Sequence, residues 1–276
     1  MSLLAPADRL TIAYSPCPND TFVFHAWAHG LIEGAPPIDV TFADIDITNT
    51  ATERGEFDIA KVSYAALPWL LDDYALLPAG GALGRGCGPL VLSRGDVDSV
   101  DGRTVAVPSE RSTAYLLFRL WATGQRPARI DVVPFTTIMP AVRDGRYDAG
   151  LVIHEARFTY PSFGLTSLVD LGQWWEQDTG LPIPLGAVLA RRSLDVTALA
   201  GAARASVEYA WADPSASAGY VAEHADEMSP DVQRRHVDLY VNEFTRDLGD
   251  EGYAAAATLL DRAYAAGLTP SSPPLR

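Results

Sequence analysis

Short apolar runs alternate along the chain with segments of helical period. Residues 10–14 (LTIAY), 38–42, 58–62 (DIAKV), 89–94 (PLVLSR), 104–107 (TVAV), 130–134, 149–153 and 186–190 (GAVLA) are brief, largely apolar and bounded by turn residues. That length and flanking predict strands rather than helices. Between them, a helix is expected over 21–29, stopped by Gly30, and another begins at Ser63, where Pro68 must shorten or kink it. Ala114, Leu117, Phe118 and Trp121 fall at the i, i+3, i+4, i+7 spacing of a buried helical face, which Gly124 ends. A further helix is expected around 139–144. From about residue 196 the chain is alanine-rich and helical, and Ser229, Pro230 and Asp231 supply a cap, a proline at the first helical position and an acid in the first turn.

Strands alternating with helices predict an α/β fold with parallel sheets. The pattern restarts near residue 95, so two lobes are expected. A larger, discontinuous lobe would comprise 1–94 and 186–276, with a smaller lobe, 95–185, inserted into it. The runs at 89–94 and 186–190 would be the paired crossovers, leaving a cleft between the lobes. A single continuous sheet is the competing arrangement.

Composition narrows the function. With 48% hydrophobic residues among 276, the chain can bury a substantial core, and 20% charged residues argue against disorder. A net charge of −14 excludes a nucleic-acid partner, which requires clustered cations. An anionic ligand must therefore be held by local donors rather than by the global field. The first ten residues carry Asp8 and Arg9 and lack the apolar core of a signal peptide. No run approaches the roughly 18 apolar residues of a membrane span. No membrane association and a cytoplasmic location are expected. Cys17 and Cys87 form no C-x-x-C, and two free thiols are expected. Oligomeric state is not written in the pattern, although the alanine-rich tail could offer a helix face to a homodimer.

The candidate chemistry lies where strands end. Asn19 and Asp20 follow the first strand, Ser63 follows DIAKV, Thr113 follows TVAV, and His154 with Glu155 follow the strand at 149–153. Ligands of open α/β sheets bind at these carboxyl ends, where helix N-termini offer free N–H groups suited to a carboxylate. Asn19, Ser63 and Thr113 are also favoured helix caps, with Ser112 competing for the cap at Thr113. His154 closes an apolar run and can serve as a general base near neutral pH, or as a structural histidine bonded to backbone. Lys61 is the only lysine. His25 and His29 have metal-ligand spacing but no third ligand beside them, so they are read as a helix face. His224 and His236 lie in the helical tail and suggest nothing catalytic. The glycines of 80–88 lead into a strand without G-K-[ST], so they are a flexible loop beside the hinge rather than a phosphate cradle. Cys17 sits in a Pro-Cys-Pro turn without an evident base, and a cysteine nucleophile is not expected.

Taken together, SPCPNDTF at 15–22, KVSYA at 61–65, GGALGRG at 80–86, TAY at 113–115, IHE at 153–155, RFTYP at 157–161 and GLPIPLG at 180–186 resemble the 1,4-dihydroxy-6-naphthoate synthase family. The resemblance covers the chain in order to about residue 192. It implies a two-lobed fold like the type II periplasmic binding proteins, with a ligand cleft between the lobes. It implies a lyase of the futalosine route to menaquinone, cleaving cyclic dehypoxanthinyl futalosine to 1,4-dihydroxy-6-naphthoate without metal or redox cofactor. By motif, His154 matches the proton acceptor, while Lys61, Val62 and Ser63, and Thr113 with Ala114, match two substrate-binding segments. Asn19 joins them from its strand-end position, and the partner is a small molecule bearing a carboxylate. Pro68 and the Glu110-Arg111-Ser112 approach to Thr113 depart from the family pattern without removing a matched residue. The alternatives are chorismate dehydratase of the same pathway and a non-catalytic carboxylate-binding protein. An exported solute-binding protein should carry a signal, and a transcription-factor ligand domain should bring a helix-turn-helix.

Overall fold

The computed structural model describes residues 9–225 and 229–276, so the expectation about the leader falls almost wholly outside it. Ten strands are present among these residues: β1 (Leu10–Tyr14), β2 (Ile38–Phe42), β3 (Ile59–Ser63), β4 (Tyr74–Gly84), β5 (Leu90–Ser93), β6 (Thr104–Val107), β7 (Arg129–Val132), β8 (Ala149–Val152), β9 (Thr166–Asp170) and β10 (Ile183–Arg191). They form two five-stranded sheets, ordered β2-β1-β3-β10-β4 and β7-β6-β8-β5-β9. Both follow one plan. A parallel trio (β2-β1-β3 or β7-β6-β8) is extended by two strands, the inner of which runs antiparallel to both neighbours.

The crossovers differ from expectation. The runs at 89–94 and 186–190 do not pair with each other. β5 pairs β8 and β9 in the second sheet, and β10 pairs β3 and β4 in the first. Residues 90–93, placed with the larger lobe by a boundary at 94, thus belong to the second sheet, and the chain crosses at 85–89. The outer partner of β10 is β4, which the apolar pattern hid because Pro78, Gly80 and Gly81 interrupt it. This also corrects the loop at 80–88: residues 80–84 lie within β4 and are buried. Glycine is needed here for close approach, since a Cβ at Gly81 would sit 2.9 Å from the Gly186 carbonyl oxygen.

Helices cover both sheets. The first, Pro18–Ala28, begins three residues earlier than expected, with Pro18 in its first turn, where a missing N–H costs nothing. Ile45–Glu53 and Leu171–Thr179 were not anticipated; IDITNTATE is too polar to show an apolar stripe. The predicted stripe of helix Thr113–Trp121 is real: Leu117 and Phe118 are fully buried, and each such burial stabilises by about 1.5–3 kcal/mol. In the helical tail, Ser229 caps Pro230–Tyr240 as predicted, its hydroxyl accepting from the Val232 N–H at 3.3 Å. The buried face of that helix carries His236 and Tyr240.

Candidate active site

A cavity lies between the sheets at the carboxyl ends of their parallel strands. The first-sheet side contributes Ser15, Asn19, Asp20, Lys61 and Ser63. The second-sheet side contributes Ser112, Thr113, Ala114, Ile153 and His154, and Leu185, Gly186, His236 and Tyr240 complete the wall. Of the residues singled out in the sequence, Asn19, Lys61, Ser63, Thr113, Ala114 and His154 meet here. Val62 does not line the cavity. Side chains alternate along β3, so with Lys61 and Ser63 turned inward the Val62 side chain enters the core and is fully buried.

A buried ion pair forms the floor. Lys61 and Asp20 pair with side chains each 4% exposed. Lys61 also donates to the Gly80 carbonyl at 3.2 Å, and the Asp20 carboxylate accepts from Ser15 Oγ and Asn19 Nδ2, both at 2.7 Å. Ionised groups out of water are tolerated only when paired and hydrogen-bonded in this way. Gly186 makes the room: a Cβ there would lie 3.1 Å from Lys61 Cε. The only lysine is therefore committed to Asp20 and offers no free charge to a ligand.

Asn19 does not cap its helix; Cys17 holds that position. With its Nδ2 donated to Asp20, Asn19 presents Oδ1 to His236 Nε2 at 3.0 Å. His236, which suggested nothing in the sequence, is fully buried in this wall. Burial, reinforced by His154 and Lys61, pushes its pKa down to about 3, so the ring is neutral.

His154 stands two residues beyond β8, partly exposed, with its backbone in the left-handed region at φ +53°. No other non-glycine residue among those described does so. Such a conformation costs on the order of 1–3 kcal/mol and persists only where the surroundings impose it. Its Nδ1 lies 3.6 Å from the sulfur of Cys17, so tertiary structure supplies the base partner that the Pro-Cys-Pro turn lacked in sequence. Burial opposes a charged imidazole, but Cys17, through charge and hydrogen bond, then Glu155 and Asp20, outweigh it and push His154 up to about 9. His154, Ile153, Ser112 and Ile45 also border a second, outer space, where Asp44, Asp46, Ser109, Thr136 and Glu155 supply polar groups. His154 thus occupies the waist between two chambers.

The competition at the helix cap resolves for Ser112, whose Oγ accepts from the Tyr115 N–H at 3.1 Å. Thr113 spans the sheets instead, its hydroxyl donating to the Leu185 carbonyl at 2.7 Å and accepting from the Ala65 N–H at 3.3 Å. Ser63 does not cap either; its Oγ accepts from Asn49 Nδ2 at 3.2 Å. The unusual Arg111 also reaches across to the first-sheet side, forking onto Glu53 at 2.7 and 3.0 Å. Cys87 borders the cavity as a buried thiol whose pKa is pushed up to about 12 by desolvation. Among the described residues no group of three or more His, Cys, Asp or Glu side chains could hold a metal, and His29 Nδ1 is spent on the His25 carbonyl at 2.8 Å. No helix among them is long and apolar enough to cross a membrane.

Two sheets of one plan, closed over a cavity between their strand ends, define a protein of the periplasmic-binding-protein-like fold. A periplasmic aliphatic sulphonate binding protein of Escherichia coli superposes with a TM-score of 0.69, covering 99% of this chain and 91% of that one at 16% identity. A crystal structure of an Archaeoglobus fulgidus protein superposes with a TM-score of 0.87 over 94% of this chain and 98% of that one, at 32% identity. Residues 10–265 match the family described as menaquinone biosynthesis. A relative named 1,4-dihydroxy-6-naphthoate synthase in Streptomyces coelicolor is 66% identical, covering 97% of each chain. A relative of the same name in Thermus thermophilus is 46% identical over 96% of this chain and 98% of its own. The chain belongs to this family of menaquinone-biosynthesis enzymes.

Proposed function

We propose that the protein is a carbon–carbon lyase, a 1,4-dihydroxy-6-naphthoate synthase that cleaves cyclic dehypoxanthinyl futalosine in the cytoplasm, with His154 as general base. The observation that carries this reading is the placement of His154 at the waist between the two chambers, with Cys17 at its Nδ1. Cys17 occupies one nitrogen, which leaves Nε2 to meet the substrate.

The inner cavity, walled mostly by apolar surface with a few polar groups, suits the bicyclic part of the substrate. Its carboxylate fits the start of helix Thr113–Trp121, where the N–H groups of Thr113 and Ala114 have no intrahelical acceptor. Ser63 and the backbone of the Lys61–Ser63 segment complete that end. The sugar-derived part then extends past His154 into the polar outer chamber. His154 takes the proton of a hydroxyl on that part, the oxygen's electron pair forms a carbonyl, and the adjacent carbon–carbon bond opens in the manner of a retro-aldol, its electron pair passing to the bicyclic part, which takes up a proton and leaves as the naphthoate. Two lobes, one around each sheet, would close over the substrate and exclude water, as the Arg111–Glu53 and Thr113–Leu185 contacts already join them here.

The test is His154→Gln. A general base contributes about 10²–10⁴-fold, so formation of the naphthoate should fall by at least a hundredfold while product binding persists. Turnover within a fewfold of wild type would remove His154 from the chemistry.

A further inference from the structure

The chain leaves β8 at Val152 and reverses at once, and both ends of that reversal are pinned to one short stretch of chain. Val152 pairs with Leu90, the first residue of β5. Just past the reversal Arg157 reaches back to the same place, its Nη1 donating to the Gly88 carbonyl at 2.8 Å. Its Nη2 donates to Asp170 Oδ2 at 2.5 Å, and Asp170 is the β9 residue paired with Leu90 on the other side. Both partners are themselves held. Asp170 Oδ1 accepts from the Gly172 and Gln173 N–H groups at 2.9 and 3.1 Å, capping helix Leu171–Thr179. Gly88 packs backbone on backbone, its absent Cβ leaving room for the Gly172 nitrogen. Between these pins His154 carries the turn, at φ +53°, a region that a residue with a Cβ enters only where its surroundings hold it.

On the near side the β8 ladder does that holding. On the far side stands only the four-residue helix Ala156–Thr159, too short to persist unaided. Its anchors are the fully buried Ala156 methyl and the Arg157 fork. A carbonyl and a carboxylate presented together suit a planar guanidinium and not an ammonium. The Arg157 and Asp170 side chains are 17% and 12% exposed, so water screens the pair little. Arg157 borders neither chamber; it lies along a separate outer cleft with Tyr160, Gln173 and Trp174. We propose that Arg157 is a positioning residue of the active site: by clamping the segment after β8 onto Gly88 and Asp170, it imposes the turn that aims the His154 ring into the waist between the chambers. Gly88 lies in the crossing between the sheets, so the clamp ties the base to the chain that joins the lobes. Arg157 touches no substrate and moves no proton. This rests on reading His154 as the base of the proposed lyase.

Three variants separate this role from a merely structural one. With cyclic dehypoxanthinyl futalosine as substrate, Arg157→Ala should lower kcat about ten- to a hundredfold, the cost of a reacting group displaced by about an ångström. Binding of 1,4-dihydroxy-6-naphthoate should stay close to wild type, because the cavity wall is intact. Arg157→Lys keeps a charge for Asp170 but cannot fork to Gly88, so it should fold as the wild type does and still lose kcat. In a His154→Gln background Arg157→Ala should cost little further activity, because it acts through that ring. Unchanged kcat in the lysine variant, naphthoate binding lost in step with kcat, or a loss repeated in full on the His154→Gln background would overturn the proposal. Nitrogen-15 spectra add a readout independent of turnover. The His154 ring signals should shift in Arg157→Lys, because the Nδ1 contact with Cys17 depends on where the turn puts the ring; unmoved signals overturn the proposal. If the wild type leaves the futalosine substrate untouched, the lyase reading fails, while those signals still decide the clamp.

Discussion

Removing the Lys61 ammonium by Lys61→Met isolates the energetics beneath the site. Lys61 and Asp20 are each 4% exposed at the side chain, so neither is screened by water. The methionine leaves the Asp20 carboxyl without its cation in the wall, held only by Ser15 Oγ and Asn19 Nδ2. Breaking a buried pair from one side costs about 3–5 kcal/mol, because the remaining charge is uncompensated. At roughly 2–4 °C per kcal/mol for a chain of this size, the thermal midpoint should fall by on the order of 10 °C. Asp20→Asn on the same background removes the stranded charge and should restore most of that loss. The assay is a double-mutant cycle of denaturant midpoints for the four proteins, which reads the coupling directly. A Lys61→Met protein within about 1 kcal/mol of wild type, or a double variant no better than the single, would refute a tightly coupled buried pair.

Cys17→Ala should shift the acid limb of kcat/KM. With His154 raised to about 9, the ring is mostly protonated at neutral pH, so the wild-type rate climbs with pH toward that value. Without Cys17 burial is no longer outweighed, and the limb should move toward or below the ordinary 6.5; an unmoved limb would refute the coupling. Gly88→Ala should destabilise severely, by several kcal/mol in chemical denaturation, because its Cβ would lie 2.1 Å from the Gly172 backbone nitrogen where the chain crosses between sheets. Thr113→Val, which keeps shape but loses the hydroxyl, should cost about 1–3 kcal/mol of stability by leaving the Leu185 carbonyl without its donor; no change in midpoint would contradict that contact.

Much of the fold was legible because uninterrupted apolar runs make strands, and those at 10–14, 38–42 and 104–107 end where predicted. β4 was not, since Pro78 and the paired glycines break its pattern for reasons that exist only once β10 lies against it. Without β4 the crossovers were misassigned, because pairing depends on tertiary contacts that no local pattern records. The strand-end rule brought Asn19, Ser63, Thr113 and His154 to one place, and the two-residue period of β3 already separated Val62 from Lys61 and Ser63. His236 was missed because its partner, Asn19, lies 217 residues away. The one local hint was its spacing of four from Tyr240, which puts a histidine on the buried face of an otherwise polar helix. The Cys17 contact with His154 spans 137 residues and was equally out of reach.

The most direct measurement is to incubate the purified wild-type protein with cyclic dehypoxanthinyl futalosine, and separately with chorismate, and to follow both by chromatography. Release of 1,4-dihydroxy-6-naphthoate from the first and no loss of the second is the predicted result. A folded protein that yields no naphthoate, or that consumes chorismate instead, would contradict the proposed lyase.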